Sequence, residues 1–149
     1  VLLNNVRDQI HSMPSTLYVY SDGGARGNPG PAAAAFMVLS EDGSILMVCS
    51  KFLGFRTNNQ AEYEALIDAL EHVLTLKPST VNCYLDSELA VKQLTGEYAV
   101  RKSELKRLWE KVQALRQRFK SVNFKHVPRD NPYIQRVDSL VNETLDKQQ

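Results

Sequence analysis

Leu17-Tyr-Val-Tyr-Ser-Asp-Gly-Gly-Ala-Arg-Gly-Asn-Pro-Gly-Pro-Ala-Ala-Ala-Ala-Phe-Met-Val-Leu39 is the stretch whose reading decides the fold. Leu17 to Asp22 has the β-branched and aromatic character of a strand, Gly23 to Gly30 is dense in turn residues, and Ala32 to Leu39 is an apolar run of strand length. Glu41-Asp-Gly-Ser44 carries a hairpin signal, and Ile45 to Phe52 reads as a third strand paired with the second. The chain therefore opens as an antiparallel meander.

Beyond it the period changes. Thr57-Asn-Asn59 supplies capping residues for a helix whose apolar positions Leu66, Ala69, Leu70, Val73 and Leu74 recur at helical spacing, until Pro78 forbids continuation. Val81 to Asp86 returns to strand, Ser87 can cap a short helix through Leu94, and Gly96 closes it. A longer helix is predicted from Ser103 to Phe119 on the stripe Leu105, Leu108, Trp109, Val112, Leu115 and Phe119. Val122 to Val127 makes a fifth strand, Pro128 to Pro132 a loop, and Ile134 to Leu145 a terminal helix. The order β-β-β-α-β-α-α-β-α predicts an α/β fold: a five-stranded mixed sheet, its first three strands antiparallel, flanked by helices. Residues 1–16, with weak periodicity and Pro14, read as an N-terminal extension to a domain spanning 17–149.

At 149 residues and 43% hydrophobic content the chain can bury one core without disulfides. Cys49 and Cys83 form no C-x-x-C pair and have too few histidines near them for zinc, which favours a reducing, cytoplasmic setting. Apolar stretches fall well short of the ~20 residues of a spanning helix, and the N-terminus lacks a signal pattern, so membrane and secreted readings are disfavoured. Each helix has one apolar stripe and a sheet to cover, so a monomer is expected. The formal net charge of +1 hides an asymmetry: Lys92 to Lys125 holds ten basic residues against three acidic ones. One part of the molecule could follow phosphates while another concentrates carboxylates.

Those carboxylates occupy unusual places. Stepping back from Leu66 and Ala69 by helical intervals puts Glu62 on the apolar stripe, whereas Glu64, Asp68 and Glu71 share a solvated face. Asp138, four residues after Ile134 and three before Val141, is expected on the inward side of its helix. Asp22 and Asp86 each end a hydrophobic strand, following Tyr18 and Tyr20 in one case and Asn82 and Tyr84 in the other. Taken singly, an Asp at a strand end is an ordinary turn residue. Four acids so placed point instead to phosphoryl transfer with Mg²⁺ or Mn²⁺, since hard cations take oxygen ligands and two of them can flank a phosphodiester. Metal-free, such a cluster should hold at least one carboxyl at a raised pKa. The 23–30 loop has neither the Lys-Ser/Thr of a Walker A loop nor G-x-G-x-x-G spacing.

Tyr20-Ser-Asp-Gly-Gly-Ala-Arg-Gly-Asn-Pro-Gly30, Thr57-Asn-Asn-Gln-Ala-Glu-Tyr-Glu-Ala-Leu66, Tyr84-Leu-Asp-Ser-Glu88 and Arg136-Val-Asp-Ser-Leu-Val-Asn-Glu143 together resemble type 1 ribonuclease H over residues 17–145. The resemblance implies an RNase H-like fold and a metal-dependent endoribonuclease that hydrolyses the RNA strand of RNA–DNA hybrids, leaving 3′-hydroxyl and 5′-phosphate ends. It implies two divalent ions held by Asp22, Glu62, Asp86 and Asp138, with Asp22 bridging both and Asp138 the more mobile ligand. It also implies minor-groove contacts to 2′-hydroxyls from Asn28, Asn58 and Asn59, and a DNA-strand phosphate near Thr57. Helix capping is the competing role for Thr57, Asn58 and Asn59. The alternatives are a hybrid-binding module without turnover and a broader nuclease that also cuts double-stranded RNA.

Two departures stand out. Many members of that family carry a histidine in the loop before the last Asp, and residues 127–137 contain none; His126 lies beside the fifth strand, and Arg129 is an alternative by location. Thr95 to Lys102 is short where several bacterial members carry a basic, Trp-rich protrusion, so hybrid affinity is expected to be modest, with basic residues at 101–111 taking part of that role. His11 and His72 are expected at the surface.

Overall fold

The structure, a computed structural model, describes residues 15–149; the rest of the expected extension, His11 included, lies outside the described residues. Strands β1 (Thr16–Ala25), β2 (Gly30–Leu39) and β3 (Ile45–Arg56) form the meander. Helix α1 (Asn58–Val73) runs through a 3-10 turn (Leu74–Leu76) to β4 (Thr80–Leu85), followed by α2 (Glu88–Leu94), α3 (Ser103–Arg116), β5 (Ser121–His126) and α4 (Pro132–Asp146). The sheet order is β3-β2-β1-β4-β5, antiparallel across β1, β2 and β3 and parallel from β1 through β4 to β5. The predicted fold class is the observed one.

Two apolar layers hold the sheet. On one side Leu17, Val19, Phe36, Val38, Val81 and Cys83 pack against Leu66, Leu70 and Val73 of α1, with α2 and α3 completing the layer. On the other, Ala33, Ala35, Met37 and Leu39 pack against Val137, Val141 and Leu145 of α4. Inside the first layer the Tyr63 hydroxyl donates to Gln93 Oε1 at 2.8 Å and Trp109 Nε1 donates to the Gln93 carbonyl at 3.0 Å. Gln93 of α2 thus takes up the buried hydroxyl of α1 and the indole N–H of α3. No helix among the described residues is long and apolar enough to cross a membrane.

Several boundaries and faces differ from expectation, each for a tertiary reason. Gly23 to Ala25, read as loop, are the end of β1, because Ala34, Ala33 and Ala32 pair with them. β2 starts at Gly30 and β3 continues to Arg56, these ends pairing with each other around a register shift beside Gly54, which sits at φ +84°. α3 stops at Arg116, so Phe119 stays buried from the turn after the helix. Glu64 and Asp68 are half-buried rather than solvated, since the antiparallel β3 brings Arg56 Nε to 2.9 Å from Glu64 and Lys51 Nζ to 3.5 Å from Asp68. Glu71 and His72 are exposed as expected.

Gly23 is the tightest point of the fold. A Cβ there would lie 2.1 Å from the Ala61 carbonyl oxygen and 2.6 Å from the Glu62 nitrogen, so β1 and α1 touch backbone to backbone. Neither partner can yield as a flexible side chain would. Gly23→Ala should therefore destabilise the protein by about 3 kcal/mol or more, read as a lowered urea midpoint at unchanged slope.

Candidate active site

The contact at Gly23 places Glu62, on the first turns of α1, over the end of β1. α1 begins there because Thr57 caps it: Thr57 Oγ1 accepts from Gln60 N at 3.1 Å while Thr57 N donates to Gln60 Oε1 at 2.9 Å. Pairing of β1 with β4 matches Tyr20 to Tyr84, so Asp22 and Asp86, each two residues further on, reach the same end and face of the sheet. One carboxylate oxygen from each of Asp22, Glu62 and Asp86 lies within 4.8 Å of the other two. With Asp138, Arg129, Asn58 and Asn142 they line a cleft of about 360 Å³.

Asp138 corrects its expectation. It is exposed, because the stripe that α4 turns to the sheet runs Ile134, Val137, Val141, Leu145, and Asp138 sits one residue round the helix from Val137. From there it still faces the cleft, where Asn142 Nδ2 donates to its Oδ2 at 3.4 Å. α4 is fixed at both ends: Asn131 Oδ1 accepts from Tyr133 N and Ile134 N, and Arg26 Nη2 reaches Asp146 Oδ1 at 2.6 Å.

Electrostatics mark the cluster. Asp22 is 7% exposed, and its carboxyl is pushed up to about 9, first by burial, then by the charge of Asp86, a hydrogen bond with Asp138 and the charge of Glu62. Glu62 is raised to about 7, again chiefly by burial, with the Ser87 hydroxyl and Arg129 pulling the other way and Asp86 pushing up. Arg129 Nε stands 3.8 Å from Asp86 Oδ2, its side chain 92% exposed at the rim of the cleft. Glu62 Oε2 is buried and accepts no hydrogen bond. A buried carboxylate oxygen without a partner calls for a proton or a cation, and the donor set here, all carboxylate oxygen, is that of a hard divalent ion.

The other expected residues fall into two groups. Asn28 Oδ1 accepts from Asn58 N at 3.1 Å and Asn58 Oδ1 accepts from Ala25 N at 2.8 Å, so both tie the glycine-rich loop to the start of α1. Asn59 enters neither bond; with Asn28, Thr57, Gln60 and Lys102 it lines a neighbouring groove of about 290 Å³. Ser87 caps the short helix as expected, accepting from Ala90 N at 3.1 Å, but its place beside Glu62 has no sequence signal beyond following Asp86; Asn142, one helical turn after Asp138, carries no sequence-read role. His126, exposed at the end of β5, is not among the residues of the cleft.

The protein family described as reverse transcriptase-like matches residues 20–144. A ribonuclease H from Polaromonas naphthalenivorans is 31% identical over 91% of both chains. The chain belongs to the type 1 ribonuclease H family. A ribonuclease HI from Halobacterium salinarum is 40% identical over 130 residues, covering 87% of this chain and 64% of its own. The crystal structure of LC11-RNase H1 in complex with an RNA/DNA hybrid superposes with a TM-score of 0.84 at 39% identity, over 89% of this chain and 98% of that one. The chain thus spans somewhat less than two thirds of the halobacterial relative, and 35% of mycobacterial relatives that it also matches.

Without bound ions, the acid cluster should cost the protein stability as pH rises. Asp22 and Glu62 bind protons more tightly folded than unfolded, so the folded state holds the excess protons between about pH 4 and pH 9. The contribution of these two carboxyls is fully present below about pH 4 and is lost through 7 and towards 9. Chemical denaturation in EDTA from pH 5 to 9 should show this decline, and Asp22→Asn should flatten it. Saturating Mg²⁺, about 100-fold over its Kd, should restore about 2.7 kcal/mol at neutral pH.

Proposed function

We propose that this chain hydrolyses the RNA strand of RNA–DNA hybrids endonucleolytically, leaving 3′-hydroxyl and 5′-phosphate ends, and that it works as a monomer. The observation that carries this reading is the convergence of Asp22, Glu62 and Asp86 within 4.8 Å beside the partnerless Glu62 Oε2. It is supported by the likeness to LC11-RNase H1, a protein seen bound to such a hybrid. Asp22, Glu62, Asp86 and Asp138 would hold two ions, Mg²⁺ or Mn²⁺. Bound there, the ions supply positive charge to the phosphodiester and lower the pKa of attacking water.

The remaining work belongs to the protein. Asp22, the most buried acid of the cluster, offers an oxygen close to those of Glu62 and Asp86 and shares a hydrogen bond with Asp138, so it would be the ligand common to both ions. Asp138, exposed on a helix surface, has the freedom to shift as substrate enters and product leaves. Arg129 stands where the family's loop histidine is missing, a full positive charge beside Asp86 at the rim. It can hold a scissile or product phosphate, but, always protonated, it cannot relay a proton. Asn59, with Asn28 and Thr57 beside it, faces the groove next to the cleft, where amides can read 2′-hydroxyls across a minor groove. Lys102, just before α3, lines that groove and suits a phosphate of the second strand.

End-labelled hybrid, duplex RNA and duplex DNA of one sequence, each with Mg²⁺, Mn²⁺ or EDTA, test the assignment. Only the RNA of the hybrid should be cut, and only with metal; cutting of duplex RNA would make this a broader nuclease. Asp22→Asn should lower cleavage by about 10³-fold or more while the protein stays folded. Uncut hybrid that is nevertheless bound by the wild type would mean a binding module.

The two asparagines separate recognition from framework. Asn59→Ala should raise KM for hybrid with Tm unchanged. Asn58→Ala should raise KM and also cost about 1 kcal/mol of stability, since it breaks the bond to Ala25.

A further inference from the structure

The two faces of β4 and β5 are built for different neighbours. One presents Val81, Cys83, Leu85, Val122 and Phe124 to the helices. The other presents Asn82, Tyr84, Asn123 and Lys125, and α4 leaves it open because that helix packs on β1, β2 and β3. Among the described residues no helix packs extensively on this second face. Tyr84 continues into an aromatic stack: its ring lies 4.8 Å from that of Tyr20 at 19°, and Tyr20 lies 4.8 Å from Tyr133 at 39°. Tyr20 and Tyr84 are half-buried and Tyr133 is 38% exposed, so the stack is accessible at its α4 end. A stack made only to fill a core would be covered.

We infer that this open face binds a single-stranded nucleic acid segment continuous with the strand at the acid cluster. The inference rests on the proposed cleavage reading and adds a second binding surface to it. Three features select the occupant. The surface is continuous with the cleft, because Tyr20 and Tyr84 precede Asp22 and Asp86 by two residues on the same pleat face. From Asp86 back to Asn82 is about 13 Å of strand, room for a short run of nucleotides. Its chemistry is that of single-strand binders: the exposed Tyr133 ring ending a stack that runs back through Tyr20 and Tyr84 to Tyr18, a cation, and amides. Asn123 Nδ2 donates to Asn82 Oδ1 at 2.9 Å, which leaves the Asn82 amide hydrogens and the Asn123 oxygen for base edges. Its charge suits phosphate: Lys125 lies opposite Tyr84 in the sheet register, and Arg129 stands beside Asp86 at the cleft edge.

Binding of fluorescein-labelled hybrids to the Asp22→Asn protein in Mg²⁺, read by anisotropy, tests the surface without cleavage. A blunt hybrid is compared with hybrids whose RNA extends as a single strand of about ten nucleotides beyond the 5′ or the 3′ end. An extension at one end should tighten binding about tenfold, the effect of one good base stack. Tyr133→Ala should remove most of that gain. So should the paired change Asn123→Asp with Lys125→Glu, which lies on exposed β5 positions and leaves the tyrosine stack untouched. Both sets should bind blunt hybrid as before. An extension that adds nothing at either end, or a gain that survives both sets of changes, overturns the inference. Failure of the wild type to cut blunt hybrid overturns the cleavage reading instead, and the extension comparison, read by binding alone, still decides the surface.

Discussion

The backbone contact between Gly23 and Ala61 is the constraint on which the site depends. It sets the distance of α1 from β1 where Glu62 on α1 must meet Asp22 on β1. A Cβ at residue 23 would push the helix away and spread the carboxylates. The second constraint is a register: Tyr20 opposite Tyr84 in a parallel pair brings Asp86 level with Asp22. A slip of one residue would send Asp86 to the face packed by α1. One close approach and one register therefore fix three acids, and neither depends on the acids themselves.

That independence matters because the acids oppose the arrangement. Burial and mutual repulsion raise Asp22 to about 9 and Glu62 to about 7, so at neutral pH the metal-free cluster withholds stability that the surrounding packing must provide. The apolar layers supply it from both sides: Leu66, Leu70 and Val73 hold α1 down beyond Glu62, and Val137, Val141 and Leu145 hold α4 down beside Asp138. Conflict between local electrostatics and global packing, confined to one end of an otherwise consistent sheet, is the pattern expected of a site selected for chemistry.

Much of this was legible in sequence because it is local. Period-two and helical patterns gave the element order, strand ends gave Asp22 and Asp86, and a charge on an apolar stripe gave Glu62. What the patterns missed is set at a distance. Gly23 to Ala25 look like loop until Ala32 to Ala34 pair with them, and Glu64 and Asp68 look solvated until β3 brings Arg56 and Lys51 across. Asp138 was placed about one residue too far inward, since Ile134 and Val141 alone do not say whether the stripe between them passes through 137 or 138. The tyrosine stack joins three elements and leaves no signal in any one of them.

The glycine-rich loop shows why recognition and chemistry are not separable here. Asn28 bonds Asn58, Asn58 bonds Ala25, and Thr57 caps the helix that carries Glu62. Of the residues proposed to read the substrate, Asn28, Thr57 and Asn58 are thus also the ones that cap α1 and anchor it to the end of β1, while Asn59 stands beside them without entering those bonds. On the proposed reading, a 2′-hydroxyl held at Asn28 would sit on the same frame as the carboxylates, so the position of the sugar and that of the phosphodiester would be set together. Discrimination built this way needs no closing lid.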